Sequence, residues 1–434
     1  MEFMREAKGT FAILLVRKGD DALYALKRDS PLALGFTPEG AVLASDAYAF
    51  TDRTTKAAFF DDDEFAVVRA GGAEFFGRDG NQIRKEFLDV GGARAEEGMC
   101  GHAHYMIKEI HEQPAAAERL VRSLGSDQSG KVRRLAELVR GAKRVVFTAA
   151  GTSYFSTLLG VYYLNKQGIM AHTLIASEFE NYVYVDSDTL VIAVSQSGET
   201  MDVVGALKYA KTRGATIASI VNVAHSTIPR MSAVSINTHA GAEVCVAATK
   251  TFTNQVIAML YLAHEFGFPV DFEQLPAQIS ETVAQNEAKA VALAKEICGR
   301  NDVYILGRGL SYPGAREFAH KMKEIAYVHA EGMMGGELKH GTLALIEQGT
   351  PVFSLIEAGD AAMESNTREV AARGARVITV SNSPDAHFPI PTSNAGVFPI
   401  LSVIVGQMLA YYVALERGLP IDKPRNLAKS VTVK

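Results

Sequence analysis

Val191-Ile192-Ala193-Val194-Ser195-Gln196-Ser197-Gly198-Glu199-Thr200 is the stretch on which the reading of this chain turns. Four apolar residues stop abruptly at hydroxyls, an amide and a glycine. An apolar pattern with helical spacing (Val203, Val204, Leu207, Ala210) starts directly afterwards. That order predicts a buried strand feeding the N-terminus of a helix. First-turn N–H groups have no partner inside their own helix, so small donors gathered there make an anion site. Ser195, Ser197 and Thr200 supply hydroxyls without the bulk that would exclude a phosphate. The run holds no Lys and no G-x-G-x-x-G, so it is neither a P-loop nor a dinucleotide turn. A strand-to-helix turn merely capped by Ser or Thr would produce a similar string. The rest of the chain has to decide between the two.

Outward from this stretch, strands and helices alternate as in a doubly wound parallel α/β sheet. Val145 to Thr148, Leu190 to Val194, Ile217 to Val221 and Val234 to Asn237 read as strands; Phe155 to Leu164, Met201 to Thr212 and Phe252 to Phe266 read as helices. The order recurs with strands at Val303 to Leu306, Val352 to Ile356 and Val377 to Val380, and with a helix at Val397 to Arg417. Gly151, Gly214 and Gly267 return as Gly307, Gly374 and Gly418, 151 to 160 residues later. One α/β unit is therefore duplicated in tandem. The duplication also accounts for Val397 to Leu415, nearly long and apolar enough to span a bilayer, as the counterpart of the helix Phe252 to Phe266. The second unit carries Glu357-Ala358-Gly359-Asp360 where the first has its hydroxyl turn. Two carboxylates repel phosphate, so one anion site per chain is expected, in the first unit.

Composition excludes several partners. The 434 residues are 48% hydrophobic and 21% charged with a net charge of −5, and no basic cluster stands out. Neither nucleic acid nor a membrane is expected as a partner. Cys100, Cys245 and Cys298 lie far apart without a C-x-x-C, which disfavours a disulfide framework or a zinc site. Met1 to Lys8 mixes charges of both signs and lacks the apolar core of a signal peptide, so a cytoplasmic location is expected. No H-x-x-x-H and no acidic cluster with ligand spacing calls for a metal, and no cofactor is expected.

Before the repeat, Phe11 to Val16, Ala22 to Lys27, Ala41 to Ala44, Ala57 to Phe60 and Glu64 to Arg69 read as short, mainly antiparallel strands with no catalytic constellation. Gly91 to Gly101 reads as a loop, Met106 to Glu112 and Ala115 to Leu124 as helices interrupted by Pro114, and Leu124 to Lys131 as a linker. The expected division is 1–100, a helical linker at 101–131, then units at 132–285 and 286–434.

Certain residues also carry a resemblance. Gly151-Thr152-Ser153, Ser195 to Thr200 and Ala247-Ala248-Thr249-Lys250 resemble a sugar-isomerase (SIS) domain. Lys321-Met322-Lys323-Glu324, His329-Ala330-Glu331, Gly336-Glu337-Leu338-Lys339-His340-Gly341 and the tail from Lys423 to Val433 together resemble the glutamine–fructose-6-phosphate aminotransferase (isomerizing) family. The resemblance implies two tandem SIS domains, with residues 1–100 similar to only the second half of the family's mainly-β, N-terminal-nucleophile glutaminase. That glutaminase begins with Cys, whose own α-amine serves as base. Here the chain opens Met1-Glu2-Phe3, and Cys100 cannot substitute. Glutamine hydrolysis is thus not expected from this chain by itself; truncation, a separate chain supplying the missing half, or free ammonia would each fit. Phe11, Ile13 and Leu15 on an uncovered edge strand favour a partner chain or strand pairing over a free end.

The reaction so implied joins fructose 6-phosphate and ammonia into glucosamine 6-phosphate. The resemblance assigns the phosphate to Ser195, Gln196, Ser197 and Thr200, and sugar contacts to Ser153, the backbone at Val246, and Ala428. It makes Glu324 the base for proton transfer between C1 and C2, a role that suits a carboxylate whose pKa burial raises toward neutrality. Lys321, three residues earlier on the same helical face, would place or polarise that carboxylate; otherwise the two form a surface pair. His340 would open the ring, contributed by the neighbouring protomer of a homodimer. Lys429 would form a Schiff base at C2, which needs a neutral amine. Thr249 and Lys250 are assigned to helix start and packing. The family usually has Ser where Ala248 stands, which removes one hydroxyl contact. Two other functions compete: an aminosugar-phosphate deaminase running the chemistry backwards, and a sugar-phosphate sensor that would need only the phosphate turn.

Overall fold

The computed structural model describes residues 2–90 and 98–431. Most of the expected loop at Gly91 to Gly101, and the tail residues Thr432 and Val433, therefore fall outside the described residues. After helix α1 (Glu2–Glu6), the first region holds β1 (Phe11–Val16), β2 (Leu23–Arg28), β3 (Ala33–Thr37), β4 (Gly40–Ala44), β5 (Lys56–Phe59), β6 (Glu64–Arg69), β7 (Gly72–Phe76), β8 (Gln82–Ile83) and β9 (Leu88–Asp89). They form two antiparallel sheets, ordered β1-β2-β6-β7-β8 and β4-β3-β5-β9. Ala25, Leu34, Phe60 and Phe75 fill the core between them. Sequence periodicity missed β3 and β7 because glycine sits in each. Gly35 has a packing reason: a Cβ there would meet Thr54 at 2.7 Å and Phe50 at 2.8 Å. β1 is an edge strand, with Leu15 and Val16 exposed.

The first parallel sheet comprises β10 (Arg144–Ala149), β11 (Ala171–Ile175), β12 (Thr189–Ser195), β13 (Thr216–Val221) and β14 (Val234–Asn237), in the order β11-β10-β12-β13-β14. The second comprises β15 (Asp302–Gly307), β16 (His329–Met334), β17 (Pro351–Ile356), β18 (Arg376–Ser381) and β19 (Phe388–Pro389), in the order β16-β15-β17-β18-β19. The two orders are the same, so the duplication visible in the glycines is also topological. Both central strands, β12 and β17, are buried along their whole length, which is why they read as unbroken apolar runs.

Helices cover both sheets: α2 (Tyr105–His111), α3 (Gln113–Gly125), α4 (Ser129–Gly141), α5 (Gly151–Lys166), α6 (Phe179–Tyr182), α7 (Met201–Thr212), α8 (Thr227–Met231), α9 (Lys250–His264), α10 (Leu275–Ile297), α11 (Ser311–Ala326), α12 (Ala361–Ala371) and α13 (Phe398–Glu416). One expected boundary is corrected. The linker at Leu124 to Lys131 shrinks to residues 126–128, because α4 already starts at Ser129 and the buried Gln128 amide ties the turn to Ser123 and to the Asn237 carbonyl. The division between 285 and 286 falls inside α10, whose buried stripe of Ile279, Val283, Ala290 and Leu293 joins the core common to both units. The chain thus passes between units along a continuous helix. Apolar α13 is long enough to cross a membrane, yet 89% of its most apolar window is buried within the protein. Gln113 bonds Gln407 at 2.8 Å, and the Tyr163 hydroxyl bonds the Gly396 carbonyl at 2.7 Å, so the shared core also carries satisfied polar contacts.

The β region docks on the first unit through charge and aromatic contacts. Lys208 on α7 pairs with Asp29 (2.6 Å) and with Asp62, and the Arg230 guanidinium stacks on Phe59. A cavity of about 780 Å³ lies along this junction, bounded by Phe59 and Phe60 on one side and by Ser197, Lys108 and Glu109 on the other.

Candidate active site

β12 ends at Ser195, and the backbone then turns sharply into α7. Ser195 Oγ accepts the Gly198 N–H at 3.0 Å and lies 3.3 Å from the Thr200 hydroxyl, while Ser197 Oγ accepts the Glu199 N–H at 3.1 Å. Gly198 takes φ +68°, and a Cβ there would come within 1.8 Å of Ser226 Oγ, so only glycine fits. Thr200 is the N-cap residue of α7, but its side chain makes no capping bond. The Thr200 hydroxyl therefore does not cap α7. In the second unit the equivalent helix end is closed: Asp360 accepts the Met363 N–H at 3.0 Å and faces Arg308.

The C-terminal tail crosses the mouth of this turn. Ser430 Oγ donates to Ser197 Oγ at 3.1 Å, and the Val431 carbonyl accepts the Met201 N–H at 3.0 Å. One residue earlier, Lys429 Nζ donates to Glu243 Oε2 at 2.6 Å and to the Cys245 carbonyl at 2.8 Å. Glu243 is fully buried and also accepts from Thr249 N, Thr251 N and the Thr251 hydroxyl. Burial would raise its pKa, but Lys429 and these donors hold it below the usual carboxylate range. Its neighbour Glu109 shifts the other way: burial, then repulsion from Glu243, push its pKa well up. Glu109 Oε1 accepts the N–H groups of Val244 and Cys245, and Oε2 has no hydrogen-bond partner among the described residues. Lys250 begins α9 as expected and is itself buried, paired with Glu112 at 2.6 Å.

A second cluster lies where α11 meets the first turn of α5. Lys321 is fully buried and spends its three donors on Thr152 Oγ1 (2.9 Å), Glu317 Oε1 (3.3 Å) and Glu324 Oε2. The Lys321–Glu324 pair is thus an interior one, not a solvated surface pair. His320 Nε2 faces Glu324 Oε1 at 3.2 Å. These neighbours correct the expectation for Glu324. Burial alone would raise its pKa, but Lys321 and His320 outweigh it and bring the value down to about 2.

The remaining expected residues are spread around these clusters. Ser153 Oγ accepts from Gln255 at 3.0 Å, and Gln196 is half-buried beside the turn. The Val246 N–H is already donated to the Asp422 carbonyl at 3.1 Å. Ala428 is exposed on the tail and Ala248 is half-buried. His340, in a short 3-10 turn (Glu337–His340), is exposed and joins neither cluster. Sequence reasoning missed Glu243, Glu109, Glu317 and His320. Glu317 and His320 could have been found, since they fall one turn before Lys321 and Glu324 on the same helix. Nothing in the local sequence pairs Glu243 with a lysine in the tail.

The SIS domain family model matches residues 138–265 and 296–417. The glutamine–fructose-6-phosphate aminotransferase (isomerizing) of Clostridium acetobutylicum is 37% identical, over 99% of this chain and 75% of that protein. The protein of the same name from Sulfurisphaera tokodaii is 38% identical, over 99% of this chain and 74% of its own length. Among solved structures, the C-terminal domain of glucosamine-fructose-6-phosphate aminotransferase from Francisella tularensis superposes with a TM-score of 0.68 at 30% identity, covering 76% of this chain and all of that one. A glucosamine-6-phosphate deaminase from Thermotoga maritima gives a TM-score of 0.65 at 23% identity, a likeness of fold. With its two SIS domains, this chain belongs to the glutamine–fructose-6-phosphate aminotransferase (isomerizing) family.

Proposed function

We propose that this chain converts fructose 6-phosphate and ammonia into glucosamine 6-phosphate. The observation that carries this reading is the tail: one backbone run sets Ser430 and Val431 against the phosphate turn and Lys429 against buried Glu243. A sugar phosphate anchored at Ser195, Gln196, Ser197 and Thr200 would then meet the lysine amine at its other end. Ser153, the Val246 carbonyl and the backbone at Ala428 contact its hydroxyls.

His340 exchanges protons between the ring oxygen and the anomeric hydroxyl, giving the open-chain ketone. Its distance from both clusters favours contribution from the second protomer of a homodimer. Lys429, in its neutral form, attacks C2; water leaves and a Schiff base forms. Ammonia replaces the lysine at C2 and restores the free amine. Glu324 then takes a proton from C1 and returns it to C2, leaving an aldehyde at C1 and an amine at C2. The ammonia is free or comes from a separate glutaminase chain, and the reaction takes place in the cytoplasm.

The test is an assay of purified chain with fructose 6-phosphate, offered ammonia or glutamine in parallel. Glucosamine 6-phosphate with ammonia alone is the expected result. Absence of product with either donor would overturn the activity, and product from glutamine with this chain alone would overturn the assigned ammonia source.

A further inference from the structure

Glu324 has two oxygens, and only one of them is held by the buried lysine. Lys321 cannot serve both, because its other donors are committed to Thr152 and Glu317. The second oxygen, Oε1, faces His320 Nε2 at 3.2 Å, one helical turn back on α11. Opposite an ionised carboxylate, that nitrogen carries the proton.

The imidazole is itself held in place. Its ring meets Phe155 of α5 edge-on at 5.4 Å, and the Arg316 guanidinium stacks on the same phenyl ring at 5.2 Å. Its Nε2 lies 3.9 Å from where a Cβ on Gly151 would sit, beside the N-terminal turn of α5 that contains Thr152 and Ser153. That turn follows the carboxyl end of β10, the side of an α/β sheet on which ligands bind. The His320 side chain is partly exposed, whereas Lys321 is fully buried.

We propose that His320 is a positioning residue for Glu324: its Nε2–H holds Oε1 while Lys321 holds Oε2, which fixes the plane of the carboxylate for proton transfer between two neighbouring substrate carbons. The inference rests on the role given to Glu324 above. A carboxylate tied at one oxygen can swing about that bond, and a misplacement of about 1 Å at a reacting group can cost on the order of 100-fold in rate. Two fixed oxygens remove that freedom. The charged groups around the imidazole are Glu317, Lys321 and Glu324 on its own helix, with Arg316 stacked on the phenyl ring that the imidazole also meets. Lys321 and His320 both act to keep Glu324 ionised.

The experiment uses the full chain with fructose 6-phosphate and ammonia, and compares His320→Ala, His320→Gln and Glu324→Gln. His320→Ala lowers kcat by about 10- to 100-fold and leaves KM for fructose 6-phosphate within about twofold. It also moves the acidic limb of the kcat–pH profile upward, because Glu324 has lost one of the two groups holding its pKa down. His320→Gln, whose amide N–H can reach Oε1, returns kcat to within about threefold of the native value. Native kcat and pH profile in His320→Ala would overturn the proposal, as would a Gln variant no better than the Ala variant. If His320→Ala fails to fold by its thermal transition, His320→Asn, whose shorter amide falls short of Oε1, replaces it with the same expectations. Product formed by Glu324→Gln would instead overturn the role of Glu324, so the two failures can be told apart.

Discussion

Lys429 Nζ lies 2.6 Å from Glu243 Oε2, and this contact joins a tail residue to a fully buried carboxylate 186 positions earlier in the chain. Either group would be poorly placed without the other. An unpaired carboxylate at Glu243 would be costly in the interior, and a tail lysine without a partner would be free in solvent. The next two residues, Ser430 and Val431, bond to Ser197 and to the Met201 N–H at the turn after β12.

Lys429→Ala is accordingly expected to abolish product formation while sugar-phosphate binding, measured by titration calorimetry, stays within a few-fold of native. It should also expose the burial cost of Glu243. The native pair depresses the Glu243 pKa, so its stabilisation is present above the unfolded value of 4.5 and fades as pH falls through the folded one. In the variant that stabilisation is gone. Its thermal transition should therefore lie well below native at pH 7 and closer to native at pH 4, and equal deficits at the two pH values would argue against the pair.

Glu109→Gln should stabilise the fold, increasingly as pH rises. A carboxyl whose folded pKa is raised binds its proton more tightly in the native state, so stability is lost as pH climbs above the unfolded value of 4.5. An amide can still accept the Val244 and Cys245 N–H groups but has no charge to bury. Thermal transitions at pH 5 and pH 8 test this: the gain from Gln should be larger at pH 8.

The two helix ends make a paired prediction. Thr200→Ala removes a hydroxyl from an open turn and caps nothing, so it should raise KM for fructose 6-phosphate about tenfold, from one lost bond to a charged group, with little change in stability. Asp360→Ala removes a cap and should cost about 1 kcal/mol in denaturant unfolding with KM unchanged. The opposite pattern would place the anion in the second unit.

Phe318→Ala should cost about 3–5 kcal/mol, since Phe318 is fully buried where α11 meets α13 and a Cβ at Gly406 would touch its ring at 2.5 Å. Urea unfolding measures the loss.

By itself the sequence determined the local and the repeated features. The strand ending at Ser195, the helix from Met201 and the glycines shared by the two units could be read because apolar periodicity and turn glycines act over a few residues. The difference between the hydroxyl turn and the acidic turn was equally local, and both helix ends carry it. The β3 strand escaped because Gly35 interrupts its pattern, and β7 because it opens on Gly72; that α10 bridges both units as one helix was visible only in the fold. The direction of the Glu324 shift was decided in three dimensions. Burial competes there with the facing Lys321 ammonium and His320 imidazole, and no spacing rule weighs one against the other. The pairing of Glu243 with Lys429 was decided by tertiary structure alone, because packing fixes which distant charges share a dry interior.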